Sequence, residues 1–202
     1  MIFGLVLAGG RSRRFGADKA LAELNGRSLF ESSLSVLSGP CDRLAVSTPA
    51  GGRLAAIAAA RGLARLDDPP GAPQGPLAGV LTGLTWALAG GADLLATAPC
   101  DTPFLPADLF ERLAGALAVA DGAAVARAPD GLHPLCGVWR TTLAGPLAEA
   151  LADGAHPPVR EVLRRLGGRS VDFDDAACFF NVNTRGDLAR ALAQSGGTAE
   201  KR

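Results

Sequence analysis

No CxxC pair occurs in this chain: Cys41, Cys100, Cys136 and Cys178 stand far apart, His156 is remote from all of them, and the lone close approach of His133 to Cys136 has no second pair to complete it. That spacing argues against a structural zinc site, whose ligands come in close pairs. The thiols read instead as small buried apolar residues of a protein kept in a reducing compartment. An excess of charge is missing too. Lys and Arg number 20 and so do Asp and Glu, so no net field draws the chain to nucleic acid or anionic lipid, and a small-molecule partner is expected. Nor does any apolar run approach the ~18 residues of a membrane span. Met1 leads into the apolar run Ile2 to Ala8 with no basic start and no cleavage site, unlike a secretory signal. These absences predict a cytoplasmic protein without membrane or nucleic-acid partners.

What is present suits a packed α/β domain. Hydrophobic residues make up 48% of the 202 and charged residues 20%, enough to build one core. Ile2 to Ala8 reads as a buried parallel strand that stops at Gly9-Gly10. Leu29, Leu34 and Leu37 follow at helical spacing, with Ser28 as cap and Gly39-Pro40 as stop. The alternation continues: strand 43–47, helix 53–61, strand 63–67, helix 77–88, strand 93–98, helix 106–118, strands 123–127 and 135–139, helices 143–151 and 159–166, strand 170–173 and helix 185–193. Strands alternating with helices predict a mostly parallel sheet covered on both faces. No repeat or linker divides the chain, so one domain over residues 1–194 is expected, with 195–202 as a frayed tail.

In such a sheet ligands bind beyond the carboxyl ends of the strands. The first strand runs into Gly9-Gly10-Arg11-Ser12-Arg13-Arg14-Phe15-Gly16-Ala17-Asp18-Lys19. Paired glycines let the backbone approach a ligand, and Arg13, Arg14 and Lys19 are donors suited to phosphate. Neither common phosphate motif matches: GxGxxG is absent, no ribose-binding acid follows the second strand at Ser47-Thr48-Pro49, and Ala20 stands where a Walker loop has Ser or Thr. Asp101, in Pro99-Cys100-Asp101-Thr102-Pro103, lies where the fourth parallel strand ends, and a carboxylate there suits Mg²⁺ bridging phosphates. Asp67-Asp68 and Gly75-Pro76-Leu77-Ala78-Gly79 meet the same edge. Asn183 or Thr184 caps the last helix, and the role of Asn181 is open. His133 is structural or touches an acceptor. Trp86 is expected in the core, and Trp139 is positioned to stack on a ring ligand.

The four segments LAGGRSRRFGADKAL (7–21), GPLAG (75–79), PCDTPFL (99–105) and NVNT (181–184), in this order along nearly the whole chain, resemble the molybdenum cofactor guanylyltransferases. The resemblance implies a Rossmann-like fold of the nucleotide-diphospho-sugar transferase type. It also implies a Mg²⁺-dependent reaction in which the terminal phosphate of molybdopterin, carrying its metal, attacks the α-phosphorus of GTP and releases pyrophosphate. By position, Leu7, Ala8, Gly9 and Gly10 line the guanine and phosphate pocket, Lys19 holds the phosphates, Arg14 occupies the arginine position of related sugar-nucleotide enzymes, Asp68 contacts the nucleoside, and Asp101 is the Mg²⁺ ligand. Ser47 stands where relatives often carry Asn. Relatives that use CTP commonly carry Ala at the Gly9 position, so Gly9 favours a purine. Other cofactor-biosynthesis proteins and apo-molybdoenzymes are implied partners. The alternatives are a cytidylyltransferase of the same fold acting on molybdopterin or another phosphorylated acceptor, and a non-catalytic protein that hands the cofactor on. A dinucleotide-dependent oxidoreductase is disfavoured by the failed fingerprint.

Overall fold

The computed structural model describes residues 1–9, 15, 18–67, 75–152 and 157–198. Its strands are β1 (Ile2–Leu7), β2 (Glu23–Leu24), β3 (Arg27–Ser28), β4 (Arg43–Ser47), β5 (Ala64–Leu66), β6 (Leu94–Pro99), β7 (Ala123–Ala128), β8 (Gly131–Arg140) and β9 (Gly168–Asp172). Its helices are α1 (Leu29–Leu37), α2 (Arg53–Ala60), α3 (Pro76–Ala89), α4 (Leu109–Ala116), α5 (Ala144–Ala150), α6 (Val159–Arg165) and α7 (Arg185–Thr198). Seven strands form one sheet in the order β5-β4-β1-β6-β8-β7-β9. All run parallel except β8, which is antiparallel to β6 and β7. None of the described helices is long and apolar enough to cross a membrane.

The central strands are apolar on both faces because both are covered. Along β1 the side chains alternate: Val6 joins one core with Phe30, Leu34 and Leu37 of α1, Leu54 of α2 and Phe110 of α4, while Phe3 and Leu5 join the other with Leu84 of α3, Leu147 of α5 and Val162 of α6. Each fully buried Leu or Phe contributes roughly 1.5–3 kcal/mol. Cys100 and Cys136 belong to the first core, and burial pushes both thiols up to about 12, as expected of structural cysteines. In α3 a glycine row sets the distance to the sheet. A Cβ on Gly83 would stand 2.5 Å from Leu5 Cδ2, and one on Gly79 would stand 2.9 Å from Leu7 Cδ2, so the helix lies close against β1.

Several elements differ from the sequence reading. Asn25 and Gly26, with φ of 52° and 76°, turn the two-residue hairpin β2–β3; the Asn-Gly pair is the signal for such a turn. β8 is longer than expected because β7 pairs with it along its length, through a bulge that puts His133 opposite Ala126 while Gly137 stays opposite Val125. α4 is shorter than residues 106–118, and α7 continues to Thr198 instead of fraying at 195. Trp139 is not available to a ligand. It is fully buried in the second core, and its indole N–H donates to Thr97 Oγ1 (3.0 Å). Trp86 is only partly buried, tilted against Phe3 with ring centroids 4.7 Å apart.

Candidate active site

Leu7 is in register with Ser47 of β4 and with Pro99 of β6, so three parallel strands end level with one another. Backbone bonds continue just past them: Ala8 N–H donates to the Ser47 carbonyl (3.1 Å) and Cys100 N–H to the Leu7 carbonyl (3.0 Å). Ala8, Gly9, Ser47 and Asp101 therefore stand in a row along one edge. Gly9 is exposed there, whereas Ser47 is buried. A methyl on Gly9 would meet Ser47 Oγ at 3.4 Å, an ordinary contact. Among the described residues, therefore, no contact excludes alanine at this position.

Asp101 and Lys19 come together from positions 82 residues apart. Lys19 Nζ donates to Asp101 Oδ2 (2.6 Å) and to Asn183 Oδ1 (2.8 Å). The Lys19 side chain is 12% exposed and that of Asp101 22%, which keeps the pair partly shielded from water and strengthens its interaction. Lys19 opens a single 3-10 turn, Lys19–Leu21, pinned by the buried Ala20. Asp101 follows β6 in a turn closed by Thr102 Oγ1 donating to the Pro99 carbonyl (3.0 Å). Asn183 comes from the segment before α7, where Val182 N–H donates to the Asp101 carbonyl (2.8 Å).

Two oxygens, Asp101 Oδ2 and Asn183 Oδ1, thus converge on the position of one ammonium nitrogen. Oxygen donors converging on a point suit a hard cation such as Mg²⁺, which takes one or two carboxylates and keeps phosphate and water for its other positions. No group of three or more His, Cys, Asp or Glu residues able to hold a metal occurs among the described residues, so a site needing several carboxylates or imidazoles is not formed by them.

Sequence reasoning missed two parts of this arrangement. Phe15 is 5% exposed and packs with Leu24, Leu29, Val182 and Ala191, which places its ring against α7 and the residues before it. The second is Asn183. Thr184 and Asp187 cap α7 reciprocally, Thr184 N–H and hydroxyl donating to Asp187 Oδ2 and Asp187 N–H to Thr184 Oγ1. The pattern Thr-x-x-Asp announces this capping box, which leaves the Asn183 side chain spare to meet Lys19.

The other expected residues divide. Gly10, Arg14 and Asp68 lie outside the described residues, as do Arg11, Arg13 and His156. Asp67 is half-exposed and paired with Arg65 (2.6 Å), lining a groove of about 650 Å³ with Leu81, Thr82 and Trp86. His133 stacks on Phe179 (centroids 4.5 Å, planes 17° apart), and its Nε2 donates to Asp130 Oδ1 (2.9 Å); it holds the β8 bulge against the segment leading to Asn183.

Residues 4–171 match the model of the MobA-like NTP transferase domain. The chain belongs to the MobA-like NTP transferase family. Within that family it is similar to a molybdenum cofactor guanylyltransferase of Cereibacter sphaeroides, 46% identical over 191 residues that cover 94% of this chain and 95% of the relative. One from Acidiphilium cryptum is 40% identical over 192 residues, 94% and 93% of the two chains. Two solved structures share the fold. The molybdopterin-guanine dinucleotide biosynthesis protein A of Archaeoglobus fulgidus superposes with a TM-score of 0.76 at 21% identity, covering 98% of this chain and 100% of its own. A 4-diphosphocytidyl-2C-methyl-D-erythritol synthase from Anaerococcus prevotii superposes at 0.74 with 14% identity, covering 96% of each. The MobA-like assignment fits the strand order seen here, in which Lys19, Asp101 and Asn183, one from each of three sequence motifs, meet at one edge.

Proposed function

We infer that this protein transfers GMP from GTP to the terminal phosphate of molybdopterin-bound molybdenum cofactor, forming a guanine dinucleotide cofactor and releasing pyrophosphate. The observation that carries the reading is the Lys19–Asp101–Asn183 cluster at the carboxyl edge of β1 and β6, in a chain of the family whose curated relatives carry that activity in their names. An acceptor phosphate oxygen is already ionised near neutral pH and forms the new bond to the α-phosphorus as the bond to the β-phosphate oxygen breaks. No protein base need take a proton. What the reaction requires is positioning and charge neutralisation.

Each residue then has a task. The backbone of Leu7, Ala8, Gly9 and Gly10 lines the base and phosphate pocket over Ser47, and Asp68 contacts the nucleoside. Lys19, freed from Asp101, and Arg14 hold the triphosphate. Asp101 would hold Mg²⁺, while Asn183 Oδ1 keeps its bond to Lys19. When bound, Mg²⁺ neutralises charge on the phosphates and on the departing pyrophosphate. The reading places the enzyme in the cytoplasm, alongside other cofactor-biosynthesis proteins and apo-molybdoenzymes.

The test is a competition: protein, Mg²⁺, metal-loaded molybdopterin and equimolar GTP, CTP and ATP, with the adduct identified by mass spectrometry. A guanine adduct is expected. A cytosine adduct would refute the donor assignment, and the absence of any adduct with active cofactor would refute the acceptor.

A further inference from the structure

The C-terminal segment touches the Lys19–Asp101 pair at two points, Val182 N–H on the Asp101 carbonyl (2.8 Å) and Asn183 Oδ1 on Lys19 Nζ (2.8 Å). Among the described residues no strand of the sheet hydrogen-bonds to Val182, Asn183 or Thr184. The segment is fixed from the other side, by one carboxylate: Asp187 Oδ2 accepts from Asn183 N–H (3.0 Å), Thr184 N–H (2.8 Å) and the Thr184 hydroxyl (2.9 Å). An ordinary capping box needs the bonds at the cap residue alone. The extra bond here goes one residue further back, to the residue whose side chain meets Lys19. Val182 is fully buried beside Phe15 and Ala191, so the segment has little freedom to move other than about Asn183 itself.

We propose that Asp187 is a positioning residue for the phosphate-binding cluster: it holds the Asn183 backbone so that Asn183 Oδ1 keeps the Lys19 ammonium placed for a nucleoside triphosphate. The Thr184 hydroxyl and the two N–H groups also hold the Asp187 carboxyl below the usual carboxylate range. The proposal rests on the reading of Lys19 as a triphosphate ligand. It adds a residue that touches neither substrate nor metal and sits at the start of the last helix.

The test compares binding of a fluorescent GTP analogue, with Mg²⁺, to wild type, D187A, D187N and S28A, alongside the melting temperature of each. S28A removes the capping box of α1, which makes no hydrogen bond to Lys19, Asp101 or Asn183, and so controls for stability. D187A is expected to weaken binding about tenfold, the loss of one well-placed hydrogen bond. D187N should recover most of this, because its amide oxygen still accepts from the two N–H groups. S28A should lower the melting temperature by about 2–4 °C with binding unchanged. Wild-type affinity in D187A, or a parallel loss in S28A, would overturn the proposal. If wild type binds another triphosphate in place of GTP, the donor reading alone fails; the same ratio is then measured with that nucleotide and decides the role of Asp187.

Discussion

Lys19 and Asp101 neutralise each other at 2.6 Å in a partly shielded place, and under the proposed function each is what the other gives up when a triphosphate and its cation bind. Removing either leaves a shielded charge without its partner, which is why single changes at such pairs are severe. Asp101→Ala is expected to lower turnover by roughly 10²–10³-fold with the fold intact, a loss of the size seen when one preorganised electrostatic group is removed. Lys19→Ala should weaken GTP binding by about tenfold or more through loss of a charged phosphate donor. Because the two act as a unit, the double variant should be little worse than the worse single one. Steady-state kinetics of the three variants, checked by circular dichroism, decide this; effects that multiply would show independent roles, and near-normal turnover in Asp101→Ala would remove the metal assignment. At this scale the sequence was informative about Lys19 and Asp101, since each stands in a motif beside a predicted strand end. It was silent about Phe15 and Asn183, whose roles depend on what lies across a loop from them.

Among the elements, α1 shows how a few residues set a start that the sequence predicted correctly. Ser28 Oγ accepts from Glu31 N–H (3.2 Å), and Glu31 Oε2 accepts from Ser28 N–H (3.0 Å) and from its hydroxyl (2.9 Å). These bonds, Ser28's backbone first, with Arg61 just after α2 adding its charge, hold the Glu31 carboxyl below its ordinary 4.5. A lowered folded value means the stabilisation is complete above 4.5 and is lost as pH falls through the folded value. Glu31→Gln should therefore melt below wild type at pH 6–7, by about 2–4 °C if the loss is the ~1 kcal/mol typical of a cap, and the two curves should converge in acid. A difference that persists unchanged to pH 3 would show that the charge plays no part. The element boundaries least legible in sequence were those of β8 and the β2–β3 hairpin. β8 extends beyond its apolar stretch because β7 offers it a partner, and pairing of that kind is a property of two strands.

For the molecule as a whole, the cluster is assembled from both ends of the chain: Lys19 from the loop after β1, Asp101 from the edge of β6, Asn183 from the start of α7. A ligand that engages it ties the last helix to the sheet and binds only the folded state. At a hundred times its dissociation constant such a ligand adds about 2.7 kcal/mol, so saturating MgGTP should raise the melting temperature by roughly 5–10 °C. The rise should be clearly smaller with GTP in EDTA. Equal shifts would mean that the cation does not join the nucleotide in its site, and no shift would mean that GTP is not the ligand. The chain by itself determined the layered α/β class, because strand and helix periods alternate along it. It also indicated the edge at which Lys19 and Asp101 come together, because Gly9 and Asp101 follow strand ends there. Only the tertiary structure decided that Trp139 is buried on Thr97 and closed to ligands, that Gly9 lies over Ser47, and that Asn183 meets Lys19. These are contacts between residues 42, 38 and 164 positions apart, and local propensity carries no information about distances that only the closed sheet sets.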